Sequence, residues 1–120
     1  MSHQHHAIDY VELSAPDLAA ARAFYSAAFG WTFNDYGPEY VGIQGPDPEE
    51  PEAGGLAANG PAHPLVIMYS DDLDSTAAAV VSAGGSIVSG PYDFPGGRRF
   101  HFTDPAGNEL AVWSPGPNGS

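Results

Sequence analysis

The chain repeats itself. Shifting the sequence by 55 residues aligns Val11 with Val66, Leu13 with Met68, Asp17-Leu18 with Asp72-Leu73, Ala23 with Ala78, Ala28 with Ala83 and Gly30 with Gly85. A unit of this length buries too little apolar surface to stand alone, so two copies are expected to share one core. In a chain of 120 residues this leaves a single domain made of two modules, residues 8–58 and 65–113.

Each copy reads as strand, helix and three strands. In the first, Ile8–Leu13 alternates as a strand, and Leu18, Ala21, Tyr25 and Ala28 form one helical stripe within Pro16–Phe29. Pro16-Asp17 suits the first helical turn and Gly30 the stop, while Phe24, Tyr25, Phe29 and Trp31 read as core. Strands are expected at Thr32–Asn34, Tyr40–Gln44 and Gly55–Ala58. The second copy predicts a strand over Leu65–Ser70, a helix over Asp74–Ala83, and strands at Ser86–Ser89, Arg99–Thr103 and Glu109–Trp113. The stretch Pro46–Pro64, with the acids Asp47, Glu49, Glu50 and Glu52, reads as a solvated link, and Ser114–Ser120 as a loose end. His3, His5 and His6 read as part of an exposed, flexible N-terminal stretch. The segment from Phe94 to Arg99 reads as a turn.

Composition narrows the function. Fifteen acids against three basic residues give a net charge of −12, which disfavours nucleic acid and anionic membranes as partners. With no cysteine, only His, Asp and Glu remain as metal ligands, and disulfides and thiolate nucleophiles are excluded. No apolar run is long enough to span a bilayer, and no charged n-region precedes an apolar segment, so a cytoplasmic location is the expectation.

Asp17-Leu18, Ala23-Phe24-Tyr25, Phe29-Gly30-Trp31, Asp72-Leu73, Gly84-Gly85 and, above all, Asp104-Pro105-Ala106-Gly107-Asn108-Glu109 resemble the glyoxalase I, bleomycin-resistance and extradiol-dioxygenase superfamily, the vicinal oxygen chelate proteins. The resemblance covers about Ile8 to Trp113. It implies an α+β fold in which duplicated βαβββ modules form a curved mixed sheet around a cavity, a homodimer, and in enzymatic members a divalent metal held by first and last strands. The positions that carry those ligands in metal-dependent relatives fall here on Tyr10, Leu65, Ala111 and the stretch from Gly54 to Ala57. None is a usual ligand, so no metal cofactor is expected, and glyoxalase or ring-cleaving activity does not carry over by name. A shifted metal site drawn from Glu12, His101 and Glu109 is the minor alternative.

Strand residues two apart share a face, so Tyr10 brings Glu12, and Ala111 brings Glu109 and Trp113. Arg99 and His101 share a face of the penultimate strand, and Leu65, Ile67 and Tyr69 complete an apolar wall. Tyr10, Tyr69, Arg99 and Glu109 are thus the candidate ligand-binding residues. Glu12, set in an apolar strand, is the candidate general base, and His101 its catalytic proton partner. Arg99 can hold a carboxylate or enolate oxygen. Two uses of such a pocket compete, metal-independent isomerase or lyase chemistry on a small carbonyl compound and non-catalytic sequestration of a small organic ligand, with a structural ion-pair cluster as the plain alternative for Glu12, His101 and Arg99.

Overall fold

The computed structural model describes residues 3–44 and 47–115. Pro46 and residues 116–120, which carry part of the expected link and end, lie outside the described residues. The architecture is α+β, in the order β1 (Ile8–Ser14), α1 (Leu18–Phe29), β2 (Thr32–Asp35), β3 (Tyr40–Gln44), β4 (Gly54–Ala57), β5 (Leu65–Tyr69), α2 (Leu73–Ser82), β6 (Ser86–Phe94), β7 (Gly97–Thr103) and β8 (Glu109–Ser114). Residues 10–65 form one compact unit, and residues 3–9 with 66–115 form the other.

The two units repeat one topology. In the first the strand order is β2-β3-β4-β1, with β1 parallel to β4 and the last three strands an antiparallel meander. In the second the order is β5-β8-β7-β6, with β5 parallel to β8 and the other pairs antiparallel. Mixed sheets of this kind follow from a helical crossover between the first strand and its parallel partner.

Each sheet packs its helix on one face. In the first unit the buried Ala15, Val41, Ile43 and Leu56 meet Leu18, Ala21 and Tyr25 of α1. In the second, Leu73, Phe100 and Val112 pack with Met68, Ala77, Val80, Ile87 and Phe102. Burying a side chain of this size contributes about 1.5–3 kcal/mol, so these layers anchor the opposite faces on which the polar residues stand.

Several details depart from the sequence reading. Asp17 precedes α1 as its cap, accepting the Ala20 N–H at 3.0 Å, and Asp72 caps α2 in the same way by accepting from Ser75 at 3.2 Å. A carboxylate there satisfies an orphan N–H that a first-turn position would leave open. Gly30 closes α1 in the left-handed conformation, with its N–H on the Ser26 carbonyl. Phe24 and Phe29 are 58% and 64% exposed rather than core, because the α1 stripe of Leu18, Ala21 and Tyr25 already faces the sheet. Strand β6 runs on to Phe94, five residues past the expected end, with register shifts on either side of Ser89 that accommodate Gly90-Pro91. Proline is tolerated there because β6 ends its unit's strand order, where a missing N–H leaves no neighbour unpaired. Phe94–Gly97 is then the hairpin turn into β7. The N-terminal histidines pack rather than trail: His6 Nε2 lies 3.0 Å from Thr76 Oγ1, and His5 Nδ1 accepts the Asp71 N–H at 2.9 Å.

Candidate functional site

On the face of the first sheet away from α1, register aligns Glu12, Gly55, Gly42 and Asn34 in one row across four strands. The two central glycines make a floor on which longer side chains lie. A Cβ on Gly55 would strike the Tyr40 hydroxyl and come within 2.8 Å of that of Tyr10, and one on Gly42 would strike the Glu52 carboxylate. Over this floor the Tyr10 and Tyr40 hydroxyls are 2.5 Å apart. Tyr40 also hydrogen-bonds Glu12, which is 6% exposed. Burial pushes the Tyr10 phenol well above its ordinary value of 10.0. It does the same to Tyr40, with the neighbouring Tyr10 and Glu12 adding to the rise. Both phenols therefore keep their protons at neutral pH and act as donors beside a buried carboxylate. Glu52 is not a solvated loop acid: it accepts from Asn34 Nδ2 at 2.8 Å and from the Tyr36 hydroxyl at 2.5 Å. That second bond, followed by burial, raises the Tyr36 pKa.

The second unit builds a different set on its matching face. His101 pairs with Ala111 across β7 and β8 and with Ser89 across β6, and one position along, Arg99 stands between Trp113 and Tyr92. His101, 7% exposed, places Nδ1 3.1 Å from Glu109 Oε2 and Nε2 2.9 Å from the Tyr92 hydroxyl. Arg99 Nε donates to Tyr92 at 2.8 Å and reaches His101 Nε2 at 3.3 Å, with its guanidinium 5.9 Å from the rings of both Tyr92 and Phe94. A carboxylate on Nδ1 fixes the tautomer: Nδ1–H donates to Glu109, and the Nε2 lone pair accepts from Tyr92 or Arg99. The arrangement can take up a proton at Nε2 while Glu109 steadies the resulting imidazolium.

The expected site residues thus fall into two groups. Arg99, His101 and Glu109 stand together, and Tyr10 and Glu12 meet through Tyr40. Tyr69 stacks 5.0 Å from the His3 ring rather than joining the His101 group. The carboxylate on the imidazole is Glu109. Sequence reasoning missed Tyr92 and Tyr40: the first follows a proline that reads as a strand end, and the second meets Tyr10 only because β4 lies between their strands.

The model for the Glyoxalase/Bleomycin resistance protein/Dioxygenase superfamily matches residues 7–112. The chain belongs to this superfamily. Among its relatives, the anthracycline biosynthesis protein DnrV of Streptomyces peucetius is 33% identical over 127 residues, covering 89% of this chain and 46% of DnrV. CFP32 of Mycobacterium tuberculosis, named as a candidate glyoxylase, is 36% identical over 112 residues, covering 85% of this chain and 41% of its own. The chain therefore spans less than half the length of these two relatives. Among solved structures, the Mn(II)-bound glyoxalase of Novosphingobium aromaticivorans superposes with a TM-score of 0.65 at 25% identity, over 95% of this chain and 40% of that one. A methylmalonyl-CoA epimerase in complex with methylmalonyl-CoA does so at 0.71 and 16%, over 98% and 99%, a likeness of fold.

The superfamily's metal does not fit the side chains at the matching positions. Leu65 and Ala111 are fully buried and apolar, and the whole of β4 from Gly54 to Ala57 offers no side-chain donor. Tyr10 holds its proton, and its hydroxyl is engaged with Tyr40. A tightly bound ion of this class needs about three nitrogen, oxygen or sulfur donors. Among the described residues no three or more His, Asp or Glu side chains cluster closely enough to hold one.

Proposed function

We propose that this superfamily member binds a small organic carbonyl compound and moves a proton on it without a metal, as an isomerase or lyase. The observation that supports this most directly is the Glu109, His101, Tyr92 and Arg99 chain on one sheet face, with the imidazole nearly buried and both its nitrogens engaged. In this reading a proton leaves the carbon next to the carbonyl for His101 Nε2, and the electron pair moves onto the carbonyl oxygen. Arg99 and the Tyr92 hydroxyl turn their donors onto that oxygen, and His101 returns the proton to a neighbouring carbon. Glu12, hydrogen-bonded to Tyr40 beside Tyr10, gives the first unit a proton acceptor and ligand contact of its own. The relative named for anthracycline biosynthesis points to aromatic ketones and enols as the first compounds to try.

The test is carbon-bound deuterium exchange, followed by NMR, over a panel of such ketones with ligand affinity measured in parallel. Catalysis is expected to fall at least about a hundredfold in His101→Gln with affinity within a few fold, the usual scale for a general acid–base group. The Glu12→Gln variant separates the two acceptors by the same pair of measurements. If no compound exchanges and affinity collapses in both variants, the chain is a binder that sequesters its ligand. One equivalent of metal per chain by elemental analysis, lost in His101→Ala, would overturn the metal-free reading.

Self-association belongs to the same proposal. Pairing of two copies of this chain is the state the superfamily resemblance favours, and sedimentation equilibrium tests it. Among the described residues no helix is long and apolar enough to cross a membrane. The absence of cysteine suits the reducing cytoplasm, and the acidic surface suits a life away from nucleic acid.

A further inference from the structure

Next to the His101 group, and using none of its residues, the second unit holds an aromatic box that is already occupied. The His3 ring lies parallel to Tyr69, with centroids 5.0 Å apart and planes 13° apart, and meets Trp113 edge-on at 5.1 Å and 89°. Tyr69 and Trp113 are themselves edge-to-face at 5.4 Å, so the imidazole fills the angle between two walls. The fourth side is Asp9. One of its oxygens is 2.6 Å from His3 Nδ1 and the other accepts the Trp113 indole N–H at 2.9 Å. The Asp9 side chain is 12% exposed and the His3 side chain 33%. The carboxylate is thus fixed by the fold, while the ring it grips comes from a short N-terminal stretch.

An aromatic face with a second ring set at right angles to it, closed by one oriented carboxylate, is the chemistry that recognises a flat cation bearing an N–H. The net charge of −12 raises the local concentration of cations around such a box. The strap is held elsewhere by contacts that do not need His3: His6 on Thr76, His5 on the Asp71 N–H, and the Ala7 carbonyl accepting the Tyr69 N–H at 3.1 Å. Arg99, beside Trp113 in the register, turns its Nε to Tyr92 and His101 and its guanidinium to the Tyr92 and Phe94 rings.

We propose that Asp9, Tyr69 and Trp113 form a binding site for a small planar organic cation of the amidinium or imidazolium class, and that the His3 ring plugs it in cis. A ligand enters by displacing the ring, so the plug lowers apparent affinity by the fraction of time it is seated. The site is separate from the proposed proton-transfer residues, and failure here leaves that reading standing.

The experiment titrates benzamidinium into the full chain and into His3→Ala, following the Trp113 indole N–H resonance by NMR, with neutral benzamide as the isosteric control. Benzamidinium is expected to bind His3→Ala at least about tenfold more tightly than the unaltered chain, as removal of an internal competitor requires. Benzamide should move the resonance in neither protein, and adding imidazole to His3→Ala should reverse the benzamidinium shift competitively. Asp9→Asn in the His3→Ala background should abolish binding. Should that variant lose its fold, Tyr69→Leu tests the stacking wall instead and should weaken binding at least about tenfold, the order of a lost cation–π contact at a desolvated site. Equal affinity in the two proteins overturns the plug. No benzamidinium shift in His3→Ala, or equal binding of benzamide, overturns the site.

Discussion

The two units use the same scaffold for opposite purposes on their helix-free faces. Across the first sheet the central row is Glu12, Gly55, Gly42 and Asn34, and across the second it is Ile67, Ala111, His101 and Ser89. Where the first unit has an acid on its opening strand and bare backbone in the middle, the second has an isoleucine and an imidazole. In the first, the absent side chains let Tyr10, Tyr40 and Glu52 lie across the floor. In the second, the strand residues themselves carry the chemistry. A duplicated fold keeps its helix-packing layer alike in both copies, since that layer holds each copy together, and is free to diverge on the other face.

If the helix layers are equivalent, damage to either should be equally severe. Phe100 and Leu56 are both fully buried, and Phe100→Ala and Leu56→Ala are each expected to cost about 3–4 kcal/mol, read from the midpoints of urea unfolding. A cost below about 1 kcal/mol in one copy would show that its layer is dispensable and would break the symmetry. The opposite faces should respond unequally. Gly55→Ala puts a methyl where the Tyr40 and Tyr10 hydroxyls meet and should cost about 2 kcal/mol, while Ala111→Gly, at the matching place, loses only a methyl and some backbone stiffness and should cost about 1 kcal/mol.

The phenols sharpen the contrast through pH. Tyr40→Phe removes the donor to Glu12 and the partner of Tyr10, and is expected to cost about 1–2 kcal/mol at neutral pH. The folded-state pKa of Tyr40 is raised, mainly by burial, so the folded chain holds a proton that the unfolded chain releases above the ordinary value of 10.0. Stability from this source is complete below that pH and declines as pH climbs beyond it. Unfolding curves of the unaltered chain should therefore weaken progressively above pH 10, and the decline should be shallower in Tyr40→Phe. An equal decline in both proteins would move the alkaline sensitivity to another group.

The scaffold was readable in the chain because repetition and periodicity are local signals: the offset of 55 and the single stripe of α1 located both helices and the strands around them. Alternation likewise grouped Arg99 with His101, and Glu109 with Ala111. What alternation cannot supply is which strand lies beside which. Glu109 reaches His101 because β8 pairs antiparallel with β7 so that Ala111 faces His101, and Tyr40 reaches Tyr10 across a strand of glycine. Tyr92 was hidden by Gly90-Pro91, which reads as an end of structure and turns out to be an irregularity inside β6. The stacking of His3 on Tyr69 had no sequence signal, since it joins residues far apart in the chain through ring geometry alone.

The smallest effect should come from the residues whose burial was overestimated. Phe24 and Phe29 lie off the stripe that α1 turns to its sheet, with rings that meet each other and Tyr25 and, for Phe29, Trp31. Exposed aromatics contribute little to the fold of a single chain, so Phe24→Ser and Phe29→Ser should each change unfolding free energy by less than about 0.5 kcal/mol. The measurement gains force when repeated across protein concentration. Folding of one chain by itself gives the same midpoint at every dilution, whereas a second copy seated on these rings would make the midpoint rise with concentration and the two substitutions abolish that rise. A concentration-dependent midpoint that survives both substitutions would put the pairing surface elsewhere, and would leave the α1 aromatics as side chains that the helix period tolerates without using.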